Sequence, residues 1–425
     1  MDIEIQPERI EGCISARPSK SSMQRACAAA LLHTGTTLLQ HAGSSADEMA
    51  ALNIIRQLGA TVIQNKPQQY TITGNPWLQT DKMLSHTLNC GESGLALRMF
   101  TPIAALYSIP VTITGEGSLL QRPIDGMLQV LPSLGVAIHS DENKLPIVVK
   151  GPLIPNNLTI DGSMSSQYVT GLLIALGKSV RHTTTLTVKQ LQSKPYIDLT
   201  LDVLSRFGYQ IQSIQDGQFI INPMKSTPEM IEYTVEGDWS NAAFMLVAGA
   251  IGGTVTLHGL SIESKQGDKA IMGVLEQSNA QIQIDQNQIT VSKPMDGLKP
   301  FTFDATDCPD LFPPLFALAA NCQGTSTIKG VNRLLHKESN RAASLQAMGQ
   351  ALGIRIVIEE NEMKIYGGKG IQGGKVNSFH DHRIAMAAAI LALQAKDSIV
   401  IGNAEAVRKS YPDFFEDIRN IISTP

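Results

Sequence analysis

Residues 18–25 read Pro-Ser-Lys-Ser-Ser-Met-Gln-Arg and set Lys20 and Arg25 among the hydroxyls of Ser19, Ser21 and Ser22. An apolar, alanine-rich run follows over residues 26–32, so the pattern predicts a polar loop opening a buried helix. The start of such a helix carries unpaired N–H groups and a partial positive charge, and anions settle there. Lysine adds a movable point charge; arginine adds a planar fork matched to carboxylate or phosphate. A capped helix with two solvated cations has the same local appearance. What argues for more is that similar clusters return along the chain.

Residues 90–98 read Cys-Gly-Glu-Ser-Gly-Leu-Ala-Leu-Arg, a small-residue turn entering another apolar helix, where Gly91 and Gly94 let backbone N–H groups approach a ligand. Arg122 precedes Pro123, and proline suits the first turn of the helix that follows. Ser165, Ser166 and Gln167 open a further apolar helix and offer an uncharged phosphate cradle. Ser193-Lys194-Pro195-Tyr196 is similar. Asp310 stands before Pro313-Pro314, where a helix cap is the plain reading. Lys337-Glu338-Ser339-Asn340-Arg341 places a carboxylate between two cations on one helical turn. Such neighbours lower its pKa or hold a base ready; an exposed i, i+4 pattern gives the same string. Asp381-His382-Arg383 opens one more apolar helix, with the histidine read as a structural hydrogen bonder. Lys409 precedes Tyr411-Pro412-Asp413. The glycine-lysine stretch at residues 367–375 lacks the spacing of a phosphate loop and is read as a flexible hairpin.

The elements that must position these residues repeat. Six β-branched runs end in glycine, beginning with Thr71-Ile72-Thr73-Gly74 and closing with Ile399-Val400-Ile401-Gly402. Helical stretches stop at Gly59, Gly135, Gly208, Asn279 and Gly353, residues that tolerate a left-handed backbone. These stops recur at roughly 71 to 76 residues, which divides the chain into about six units of strands and helices. Six like units favour two α/β domains of three units each. Helices pointing inward would then bring several N-termini to one face, and two such faces across a cleft would attract a polyanion. The chain's 425 residues exceed one core, and its net charge of −4 makes any anion binding local. That charge speaks against nucleic acid and anionic membranes as partners. Scattered cysteines predict reduced, buried thiols, and apolar runs such as residues 384–393 are too short to span a bilayer. An acidic N-terminus without an apolar segment points to a cytoplasmic protein.

Taken in order, these motifs resemble the 5-enolpyruvylshikimate-3-phosphate (EPSP) synthase family of enolpyruvyl transferases over nearly the whole chain. The carriers are Ser19-Lys20-Ser21 with Arg25, Gly94 with Arg98, Arg122-Pro123-Ile124, Ser165-Ser166-Gln167 and Ser193-Lys194-Pro195-Tyr196. They continue through Gly237-Asp238-Trp239-Ser240, Gln266-Gly267-Asp268, Pro309-Asp310, Lys337-Glu338 with Arg341, Asp381-His382-Arg383, and Lys409 with Pro412-Asp413. The resemblance implies two similar domains, each of three βαβαββ-like units with helices inside and sheets outside. It implies residues 1–18 with 236–425 as one discontinuous domain and 19–235 as the other, joined by a two-stranded hinge.

It also implies a reaction between shikimate 3-phosphate and phosphoenolpyruvate, without metal or organic cofactor, in a monomer of the shikimate pathway. Lys20, Ser21, Arg25, Ser165, Ser166, Gln167, Ser193, Asp310 and Lys337 would touch shikimate 3-phosphate. Lys20, Gly94, Arg122, Gln167, Arg341, Arg383 and Lys409 would hold phosphoenolpyruvate. Asp310 would act as base and Glu338 as acid, with Lys20 also catalytic. Pro18, Met23, Gln24, Glu92 and Leu95 depart from the family's usual glycine, serine, asparagine, asparagine and threonine. Arg333 falls where the family often has asparagine. A sister transferase acting on UDP-N-acetylglucosamine usually carries a reactive cysteine before its Arg-Pro, and residues 115–122 contain none. A non-catalytic binder of phosphorylated metabolites would need the cations but neither acid.

Overall fold

The computed structural model describes residues 1–162, 165–215, 217–335 and 337–422. The chain divides into two units, Met1–Arg17 with Glu236–Pro425, and Pro18–Val235. Among the described residues, each unit holds three small sheets. Five of the six sheets have four strands, and each of these opens with a parallel pair and continues antiparallel. All six runs read as strands ending at glycine are strands, including Gln69–Thr73, Pro110–Thr114, Gly253–His258 and Ile399–Gly402. Burial alternates along them, as in Thr325–Lys329, so one face packs inward and the other meets water.

Helices fill the interior of each unit. In Pro18–Val235 these are Lys20–Leu32, Gly94–Ala104 and Ser166–Ser179. In the other unit they are Trp239–Gly252, Phe312–Asn321 and His382–Ala392. Every residue from Trp239 to Gly252 is buried. Alanine and glycine make this possible, because small side chains let helices approach on several faces at once. A second set of helices ends at the left-handed stops: φ is +95° at Gly59, +76° at Gly135, +81° at Gly208, +66° at Asn279 and +70° at Gly353.

One feature of the topology crosses the repeat. The strand Ile10–Ser15 precedes the Lys20 helix in sequence but pairs in parallel with Gly253–His258. The strand Met230–Thr234 precedes the Trp239 helix but pairs with Thr36–Gln40. Each of these strands therefore belongs to a different unit from the helix that follows it in sequence. Ile3–Ile5 likewise pairs with Ile399–Gly402.

Three local expectations are corrected. Residues 367–373 form no hairpin; they connect Glu362–Tyr366 to Gly374–Asn377, strands of two different sheets. Cys13 is exposed, on the outward face of its strand, while the other four cysteines are buried. Pro123 lies before the cap of the helix Asp125–Val130 rather than within its first turn.

The Gly94 and Ser166 helices approach each other most closely at Gly171. A methyl group there would lie 2.7 Å from the carbonyl oxygens of Arg98 and Met99. Gly171→Ala is expected to destabilise this unit by about 1–3 kcal/mol, through overpacking, read as a lower urea midpoint.

Candidate active site

The residues singled out in sequence gather at helix N-termini. In the unit Pro18–Val235, Ser19 caps the Lys20 helix by accepting from Ser22 N at 3.3 Å. That fixes Lys20 at the first turn, where its Nζ meets Asp47 Oδ2 at 2.9 Å. Asp47 occupies the first turn of the helix Ala46–Gln57, behind a capping box formed by Ser45 and Glu48, where the helix dipole favours a carboxylate. Asp47 was not singled out from sequence. Its local signal is only an acidic helix start, and its pairing with Lys20 spans 27 residues.

Arg25 is 1% exposed. Its guanidinium donates to Thr200 Oγ1 at 2.8 Å, to the Ser21 carbonyl at 2.8 Å and to the Tyr196 carbonyl at 3.2 Å. It thus ties the Lys20 helix to the helix Lys194–Arg206, whose cap, Ser193, is buried and left-handed at φ +52°. A non-glycine residue in that region stores strain, which is common where a backbone must present a group to a ligand. Ser165 caps the Ser166 helix by accepting from Gln167 N at 3.3 Å.

Gln167, Gly94 and Arg122 come together. Arg98 Nη1 donates to Gln167 Oε1 at 3.2 Å and to the Gly94 carbonyl at 3.3 Å. A methyl group on Gly94 would lie 2.8 Å from Nη1 of both Arg98 and Arg122. Only glycine lets two guanidinium groups share that space. Ser93 caps the Gly94 helix and donates to Gln24 Oε1 at 3.1 Å, which joins the Gly94 and Lys20 helix starts.

The other unit carries a denser cluster. Arg341, 1% exposed, opens its helix and serves three carboxylates. It donates through Nε to Asp381 at 2.8 Å, through Nη1 to Asp310 at 2.8 Å and through Nη2 to Glu338 at 2.6 Å. Lys337 meets Asp310 at 3.2 Å, Arg383 meets Asp310 at 3.1 Å, and Lys409 meets Glu338 at 3.2 Å. Lys337 and Glu338 lie in the turn before the helix, not on it as expected. Asp310 sits in the short turn Pro309–Leu311 and caps nothing; its carboxylate is spent on cations.

Asp381 caps the His382 helix, accepting from Arg383 N at 3.0 Å, and also accepts from Ser339 Oγ at 3.1 Å. Fully buried, it fixes Arg341 from behind. Lys409 is held by its own segment: the following carbonyl, of Ser410, accepts from Asn241, while Tyr411 Oη and Arg17 both donate to Asp417.

Burial alone would raise the Asp310 pKa, but Arg383, Lys337 and Arg341 outweigh it and hold the carboxyl well below the usual range. Burial pushes the Lys337 ammonium below its ordinary value against the pull of Asp310. Burial also opposes the Arg341 charge, yet Asp381, Glu338 and Asp310 raise its pKa further. The cluster can bind anions, hold a proton acceptor ready, and supply a second acid. Among the described residues, no group of three His, Cys, Asp or Glu side chains is placed to hold a metal ion, and no helix is long and apolar enough to cross a membrane.

Two measurements test this balance. Arg341→Met leaves three acids without their shared partner and is expected to cost roughly 3–5 kcal/mol in urea denaturation. Because the Asp310 pKa is depressed on folding, its contribution is complete above the unfolded value of about 3.9 and is lost as pH falls through the lower folded value. Asp310→Asn is therefore expected to lower stability at neutral pH and to flatten the acid limb below about pH 4.

Comparison with known proteins places these residues in context. The family model of EPSP synthase (3-phosphoshikimate 1-carboxyvinyltransferase) matches residues 5–418. A 3-phosphoshikimate 1-carboxyvinyltransferase of Clostridium kluyveri is 35% identical over 423 residues, covering 99% of this chain and 97% of that one. One from Methanocaldococcus jannaschii is 32% identical over 421 residues, covering 97% and 96%. Among solved structures, EPSP synthase from Acinetobacter baumannii superposes with a TM-score of 0.83 at 24% identity, covering 99% and 98%. The enolpyruvyl transferase NikO from Streptomyces tendae gives 0.77 at 18% identity, covering 98% and 96%. Likeness at those identities speaks for the fold.

Proposed function

The chain belongs to the EPSP synthase family, and from that membership we propose the roles of its residues in the family's reaction. The protein transfers the enolpyruvyl group of phosphoenolpyruvate to the 5-hydroxyl of shikimate 3-phosphate and releases inorganic phosphate. This is a step of the shikimate pathway toward chorismate and the aromatic amino acids. The observation that carries the assignment of roles is the pair Asp310 and Glu338, two acids bridged by Arg341 and flanked by Lys337, Arg383 and Lys409.

Glu338 gives a proton to the methylene carbon of phosphoenolpyruvate, and positive character grows on the neighbouring carbon. The 5-hydroxyl oxygen bonds to that carbon while its proton passes to Asp310. In the second step the methyl group returns a proton to Glu338, Asp310 protonates the departing phosphate, and the bond between that carbon and the bridging phosphate oxygen breaks. Arg122, Arg341, Arg383, Lys20 and Lys409 neutralise the phosphate and carboxylate charge, with Gly94 and Gln167 completing the phosphoenolpyruvate contacts. Lys20, Ser21, Arg25, Ser165, Ser166, Gln167, Ser193, Asp310 and Lys337 bind shikimate 3-phosphate.

With no substrate present, Arg383, Lys337 and Arg341 hold the Asp310 carboxyl well below its ordinary pKa. Phosphoenolpyruvate seated on Arg341 and Arg383 would share their charge without displacing them and let the Asp310 pKa climb toward its ordinary value. Asp310 is thus armed as a base by the substrate itself. A monomeric, cytoplasmic enzyme indifferent to nucleic acid belongs to the same proposal.

Purified protein is expected to release phosphate only when both substrates are present, and UDP-N-acetylglucosamine should not replace shikimate 3-phosphate. Asp310→Asn and Glu338→Gln should each lower kcat by about 10²–10⁴-fold while retaining shikimate 3-phosphate binding by calorimetry. Loss of binding in a folded variant, or unchanged kcat, would reverse the assignment. Arg122→Ala should raise the KM for phosphoenolpyruvate more than that for shikimate 3-phosphate.

A further inference from the structure

We propose that Glu92 is a positioning residue for Arg122 and thereby for phosphoenolpyruvate, an inference that rests on the function proposed above. Glu92 lies in the turn between Asn89 and Gly94, next to the cap Ser93. Its Oε2 accepts from the N–H of Ser118 at 3.4 Å and from the Ser118 hydroxyl at 3.3 Å. The same hydroxyl oxygen accepts from Arg122 Nη2 at 3.4 Å. A hydroxyl has one proton and two lone pairs. With its proton committed to Glu92, Ser118 presents a lone pair to the guanidinium. Glu92 therefore sets the direction in which Ser118 can act.

The surroundings make the carboxylate hard to replace. A methyl group on Gly117, whose φ is +53°, would lie 2.6–2.8 Å from the carboxyl atoms of Glu92, so the loop closes directly on that side chain. Three further bonds join the two segments. Glu116 N donates to the Gly91 carbonyl at 2.7 Å, Cys90 N donates to the Thr114 carbonyl at 2.9 Å, and Asn89 Nδ2 donates to Glu116 Oε1 at 2.8 Å. The turn that carries Gly94 and the loop that carries Arg122 thus form one block. On its other side the Arg122 guanidinium stands over Gly94. Removing the acceptor at position 92 would free the Ser118 hydroxyl to rotate, and Arg122 would lose one of its fixed contacts.

Charge and acceptor can be separated. Both Glu92→Ala and Glu92→Gln remove the negative charge near Arg122, but only the glutamine keeps a carbonyl oxygen to accept from Ser118. Glu92→Ala is expected to raise the KM for phosphoenolpyruvate at least fivefold over Glu92→Gln, with the KM for shikimate 3-phosphate changed less than twofold. Ser118→Ala should act in the same direction, and the double variant Glu92→Ala, Ser118→Ala should add little to either. Equal phosphoenolpyruvate KM values for the two Glu92 variants would overturn the proposal. So would a parallel loss in kcat and both KM values, which would mark a general structural defect.

Amide hydrogen exchange provides a readout independent of turnover. Peptides spanning residues 115–122 should exchange faster in Glu92→Ala than in Glu92→Gln, and equal rates would again overturn the positioning role. If the wild-type protein releases no phosphate from these substrates, the functional reading falls while the exchange comparison still decides whether Glu92 fixes the loop.

Discussion

Four cations gathered in one cluster repel one another, and the unit that contains them depends on three acids to keep them in place. Arg341 is the point where this repulsion is resolved. Its planar fork reaches Asp310, Glu338 and Asp381 at once, which an ammonium could not do in fixed geometry. Lys337 shares Asp310 Oδ1 with Arg341, Arg383 takes Asp310 Oδ2, and Lys409 takes the Glu338 oxygen that Arg341 leaves. Removing the hub would leave buried like charges facing each other, a far larger penalty than the loss of an exposed salt bridge. The cations are consequently held in place before any anion arrives, so little reorganisation remains when one does.

The packing supports this arrangement at a distance. Polar side chains cap five of the six interior helices, through Ser19, Ser93, Ser165, Asp238 and Asp381. Each cap fixes where the first turn begins and hence where the charged residue beside it points. Small residues between helices then set how near those turns lie. Gly171 lets the Ser166 and Gly94 helices touch backbone to backbone, and the contact between Gln167 and Arg98 follows from that closeness. Asp381 shows how economical the scheme is, because one carboxylate both caps a helix and anchors Arg341.

Much of this architecture can be read from residue order because its rules are local. The left-handed stops at Gly59, Gly135, Gly208, Asn279 and Gly353 follow from which residues tolerate positive φ, and the strands ending at Gly74, Gly115 and Gly402 follow from β-branched alternation. The charged motifs were visible for the same reason. What residue order hides is partnership. The bond from Arg341 to Asp381 spans 40 residues, that from Lys20 to Asp47 spans 27, and that from Ser118 to Glu92 spans 26. No spacing rule marks such pairs, since they are set by how sheets and helices pack. The string Lys337-Glu338 suggested a helical face for the same reason, although the helix begins only at Arg341.

The exchange of leading strands bears on how the chain is made. All of Pro18–Val235 leaves the ribosome as one continuous piece, including the strand Met230–Thr234 that completes its first sheet. It can therefore collapse while synthesis continues. The first seventeen residues cannot join a finished sheet so early. Ile10–Ser15 must wait for Gly253–His258, and Ile3–Ile5 for Ile399–Gly402. During that interval these two strands are unpaired β edges, the kind of segment that chaperones shield. Two strands made before that continuous unit thus find their partners only after it is complete.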